Sequence, residues 1–113
     1  MPKLVTAREM DALLVRWGSN ELSASEVHSW AEARFATHSW EPENDAVNEV
    51  LSHLDRLDMN LVVVEDIPLL REALLARNEE DANRLIERSY AITPLEARKL
   101  ICAEKPIYAP FCN

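Results

Sequence analysis

The chain has 113 residues, room for one hydrophobic core, and 48% of them are apolar. Twelve Lys and Arg stand against twenty Asp and Glu, a formal net charge of -8, so its field repels nucleic-acid phosphates and anionic membranes and steers basic proteins toward it. A lone glycine, Gly18, excludes a glycine-rich phosphate loop and with it the usual nucleotide-binding folds.

Three Ser/Thr-x-x-Glu signatures, Thr6 to Glu9, Ser23 to Glu26 and Thr93 to Glu96, mark helix starts. In each the hydroxyl can cap the third backbone N–H while the glutamate reaches back. After Thr6, the apolar positions Met10, Leu13, Leu14 and Trp17 predict an amphipathic helix over 7–18, stopped by Gly18-Ser19-Asn20. Ser23 opens a second helix that fades near His38; Val27, Trp30, Ala31 and Phe35 form its buried stripe, with His28 and Glu32 facing out. Pro42 is read in or just ahead of the first turn of a third helix, favoured at its positive end by Glu43 and Asp45 and striped by Val47, Val50, Leu51, Leu54 and Leu57.

Leu61 to Val64 is β-branched, but without a matching run nearby to pair with it reads as a buried extended linker or an early helical turn. Asp66 then caps a helix with Pro68 in its first turn. Its apolar residues, Ile67, Leu69, Leu70, Ala73, Leu74 and Leu75, cover most of the circumference and predict a central position. Asn78 caps a further helix to about Ser89, with Leu85 and Ile86 facing inward, and Thr93-Pro94 opens a last short one carrying Leu95, Leu100 and Ile101. From Lys105 onward, Pro106, Tyr108, Pro110 and Phe111 predict an extended tail against the bundle. The expected fold is therefore all-α: a single domain over 1–113, one bundle of five or six short helices with an extended C-terminal tail.

The longest apolar run is four residues, so neither a signal peptide nor a membrane span is expected and the chain is read as cytoplasmic. Cys102 and Cys112 are too far apart for a CxxC motif and are read as thiols, with a disulfide between them as the lesser alternative. His28 with Glu32 and Glu49 with His53 are i, i+4 pairs, a geometry a metal or an acid/base couple can use. No further ligand or nucleophile converges on either, so both are read as solvated surface pairs. With no nucleophile elbow or zinc signature present, neither an enzyme nor a cofactor is expected.

The most suggestive stretch runs from Trp40 to Glu49. Trp40 beside Glu41, Glu43, Asp45 and Glu49 joins an aromatic anchor to carboxylates at a helix entrance, the make-up of a partner-binding surface. The competing reading folds Trp40 onto the core as a staple while the acids complement the helix dipole. Trp17 and Trp30 lie on apolar stripes and are read as core.

Arg16-Trp17-Gly18, Glu21-Leu22-Ser23-Ala24, Trp30-Ala31-Glu32, Val50-Leu51, Leu54-Asp55 and Glu65-Asp66-Ile67-Pro68 together resemble small helical proteins of bacterial genomes. The build is similar to that of helical immunity proteins, many of them acidic, which protect a cell from a colicin-type or contact-dependent-inhibition toxin by blocking a basic toxin domain. The likeness spans roughly the first two thirds of the chain, its residues ending at Pro68, and carries no diagnostic motif, so no family site transfers to particular residues. It implies a non-enzymatic protein that binds a basic partner, with no role for nucleic acid or membrane. The alternative is a helical self-association module, a homodimer through the apolar helix after Asp66 or through the tail.

Overall fold

The computed structural model describes residues 3–35, 37 and 39–104. These form seven helices and one small two-stranded sheet, the all-α architecture expected from the caps and stripes. At Thr6 the chain is extended and the Glu9 N–H donates to the hydroxyl (3.1 Å), which starts α1, Ala7–Gly18. At Ser23 both arms of the box close, Glu26 N–H to Ser23 Oγ and Ser23 N–H to Glu26 Oε1, each at 3.2 Å, and α2 follows over Ala24–Arg34.

Before α1 lies β1, Lys3–Val5, and after α2 lies β2, Trp40–Pro42. They pair in parallel, Lys3 opposite Trp40 and Val5 opposite Pro42, and such pairing requires a crossover, here the two helices between them. Pro42 thus lies ahead of the third helix, not in its first turn, and ends a strand. The cap of α3, Asp45–Asp55, is Asn44, whose Oδ1 accepts from the Val47 N–H at 2.9 Å.

The third helix was expected to continue through Leu57, but it breaks at Arg56, and Leu57–Asn60 forms a separate turn, α4, ended by Leu61 in the left-handed region. Val62 and Val63 are buried and lead into a 3-10 turn, Val64–Asp66. This segment therefore joins both alternatives read for it, an extended stretch followed by a helical turn.

The apolar helix is α5, Ile67–Leu74, which packs against α6 (Glu79–Ile92), α1 and α3 at the centre of the bundle. Asn78 caps α6 as expected, accepting from the Asp81 N–H at 2.9 Å. The core runs through Met10, Leu14 and Trp17 of α1, Val27 of α2, Val47, Val50, Leu51 and Leu54 of α3, and Leu70 of α5. Gly18 is in contact with it: a Cβ there would lie 3.3 Å from Ile67 Cδ1, so the glycine lets α1 and α5 approach. The left-handed residue beyond α1 is Asn20, with φ 66°.

The last helix, α7 (Leu95–Glu104), departs most from expectation. Leu95 and Leu100, two of the apolar residues it was expected to carry, are 51% and 65% exposed, while Arg98 and Cys102 are buried. Among the described residues the Thr93 hydroxyl makes no capping bond, and Thr93 instead ends α6. Cys102, read as a thiol, is disulfide-bonded; its spacing from Cys112 rules out CxxC but not a disulfide. The tail beyond Glu104, with Tyr108, Phe111 and Cys112, lies outside the described residues, as does His38. Among the described residues no helix is long and apolar enough to cross a membrane.

Candidate interaction surface

Trp40, Glu41, Glu43, Asp45 and Glu49 run from β2 into α3, and the structure gives them different tasks. Trp40 is half-buried and packs on the core. Its ring is flanked by Arg34, 4.5 Å from the centroid, and by Lys3, 5.4 Å from it. Arg34 also covers Trp30 at 4.1 Å, so one guanidinium joins the two indoles. Contacts of this kind contribute about 0.5–1 kcal/mol each at exposed sites. Trp40 thus carries the staple role weighed for it, with two cations on its ring.

Glu41 is exposed on β2 opposite Leu4. Glu43 reaches across to α1, where its Oε2 accepts from the Ala7 N–H at 2.9 Å, a carboxylate held against the positive end of a helix. Asp45 and Glu49 lie one turn apart on α3. Glu79, the first residue of α6, comes beside Glu49. The carboxyl of Glu49 is pushed up by desolvation, by the charge of Glu79 and its hydrogen bond, and by the charge of Asp45. Among the described residues none of Glu41, Glu43, Asp45 and Glu49 forms an ion pair with Lys or Arg. The structure therefore gathers Asp45, Glu49 and Glu79, while Trp40 and Glu43 are turned to the sheet and to α1.

Neither histidine pair is a solvated surface pair. His28 Nε2 donates to the Asp55 carbonyl at 2.9 Å, so its ring bridges α2 to the end of α3, and it lies 3.6 Å from Asp58 and 3.9 Å from Glu32. His53 is buried; its Nδ1 accepts from Asn60 Nδ2 at 3.2 Å and its ring stands edge-on to Tyr90, centroids 5.9 Å apart. Burial lowers its pKa to about 4, with the Arg98 charge adding to the depression and Asp66 opposing it. Both rings face inward because an imidazole can bury its body where one nitrogen finds a carbonyl or amide.

The largest feature missed by the sequence reading is the cluster around Arg98. Its five N–H groups have five acceptors: Nε reaches the Thr93 carbonyl (2.6 Å), Nη1 the Leu61 carbonyl (3.1 Å) and Asp66 Oδ2, and Nη2 Asp66 Oδ1 and the Ser89 carbonyl (both 2.8 Å). Tyr90 covers the guanidinium at 3.9 Å and donates its hydroxyl to the Asn60 carbonyl at 2.7 Å. Asp66 accepts the Val63 N–H as well, so it binds Arg98 instead of capping α5. Arg98, Ile101 and Cys102, spaced i, i+3, i+4, hint at an inward face that includes the arginine, but its partner lies 32 residues away.

Among the described residues no group of three His, Cys, Asp or Glu is placed to hold a metal ion. Comparison with protein-family models, curated proteins and solved structures finds no match to this chain.

Proposed function

We infer that the chain is a non-enzymatic acidic binding protein of the immunity type, whose surface from Glu41 through Asp45 and Glu49 to Glu79 covers a basic domain of a toxin. The observation that carries this reading is the convergence of Asp45, Glu49 and Glu79: desolvation first, then the charge and hydrogen bond of Glu79 and the charge of Asp45, raise the Glu49 carboxyl, and no Lys or Arg is paired to it among the described residues. A partner's lysine or arginine brought to that point would relieve the repulsion and gain charge-assisted hydrogen bonds. Glu43 contributes less directly, since it also holds the start of α1.

The test is co-expression with a basic nuclease-type toxin encoded beside this chain's gene. The parent should restore growth and bind the toxin more weakly as salt rises, and lysine substitutions at Glu41, Asp45 and Glu49 should abolish both effects. Protection by the substituted protein equal to the parent's would exclude this surface.

Self-association is the second reading. The buried side of α5, suggested for it by the sequence, is used within the bundle, but Ile92, Leu95 and Leu100 are 65%, 51% and 65% exposed at the α6–α7 corner. A homodimer seen by light scattering and lost on Leu95→Asp would favour this reading.

A further inference from the structure

A groove of about 800 Å³ lies between the start of α1 and the end of α5. Its apolar lining includes Ala7, Pro68, Leu74 and Leu75. Leu75, just past the end of α5, is 82% exposed, a large apolar side chain left in water beside a concavity. The walls are fixed: Arg71 of α5 donates from Nε to Asp11 Oδ1 of α1 at 2.6 Å and from Nη2 to Asp11 Oδ2 at 3.3 Å, which closes the two helices together and cancels both charges.

The remaining charged lining residues are Glu43, Glu72 and Arg8. Glu43 accepts the Ala7 N–H on its Oε2, and among the described residues neither Glu43 nor Glu72 pairs with a cation. The rim is therefore net negative over an apolar floor, and Glu43 joins it to the acidic run of β2 and α3. Apolar floor and acidic rim complement a segment that alternates an apolar anchor with basic side chains.

We propose that this groove seats a short basic, amphipathic segment of the partner protein, with a leucine-like side chain on Pro68 and Leu75 and a lysine or arginine at Glu72 and Glu43. The assignment rests on the acidic-interface reading and adds to it the position of the partner's apolar anchor. A second copy of this chain is a poor occupant, because the copy's own net charge of -8 meets a rim of the same sign.

The test is titration of the ¹⁵N-labelled protein at low ionic strength with two blocked peptides, one alternating lysine and leucine and one alternating lysine and serine. The lysine–leucine peptide should shift the amides of Ala7, Arg8, Glu72 and Leu75 and bind about tenfold more tightly than its serine counterpart. Leu75→Asp should remove that advantage, while Leu100→Asp, at a largely exposed leucine elsewhere, should leave it intact. Equal binding of the two peptides would overturn the groove and leave the acidic surface standing. No binding of either would overturn both, and groove shifts on simple dilution of the free protein would assign the groove to self-association instead.

Discussion

Arg98 shows at the residue scale why a buried charge can be tolerated: every N–H finds an oxygen and the Tyr90 ring covers its face. His53, edge-on to that ring, meets the same burial by giving up its charge. Its pKa of about 4 in the fold lies below the ordinary 6.5, so on acidification the unfolded chain takes up the proton first. The stability tied to neutral His53 is complete above pH 6.5 and is lost as pH falls through about 4, in total roughly 3 kcal/mol at 1.36 kcal/mol per unit. Urea denaturation across this window should show that loss in the parent, and His53→Gln, which keeps a neutral acceptor for Asn60, should flatten it. A parallel loss in the two proteins would assign the pH dependence to other groups.

At the scale of elements, Arg98 ties α7 to Asp66 and to the end of α6, beside the buried Cys102 and the half-buried Ile101, while Leu95 and Leu100 face solvent. Asp66→Asn leaves the guanidinium without its counter-charge, and breaking a buried pair in this way costs about 3–5 kcal/mol. The cost should fall on the attachment of α7: hydrogen exchange should speed up in 95–104 ahead of α1 and α3. Uniform acceleration across all helices would mean that α7 is integral to the bundle. The same contrast explains what was legible in the sequence. The first helix was readable to the residue because Thr6 and four apolar positions act within one local period. The strands were not, because β1 and β2 are three residues each and exist only by pairing with one another across α1 and α2. Asp66 was misread because its local role as a cap and its long-range role with Arg98 call for the same residue type in the same place. In the candidate surface, the acids of α3 were visible but Glu79 was not, since the packing of α6 on α3 brings it there.

For the whole molecule, the decisive quantity is a net charge of -8 on 113 residues. Part of that charge is concentrated where Asp45 and Glu79 flank Glu49, whose carboxyl is raised by desolvation and then by its two neighbours. Adding NaCl to about 0.5 M shrinks the screening length to a few ångströms and should raise the melting temperature by a few degrees, whereas it weakens association with any basic partner. Opposite responses of folding and binding to one salt titration distinguish surface repulsion from a requirement for bound ions; a melting point that falls with salt would show that the ion pairs outweigh the repulsion. The parallel pairing of Lys3–Val5 with Trp40–Pro42 carries a temporal consequence. On the ribosome the leading strand emerges well before its mate, so the nascent N-terminal segment must wait through the making of two helices before its backbone is paired. Maturation of this half of the molecule is accordingly timed by the appearance of Trp40, not by the rate at which either helix winds.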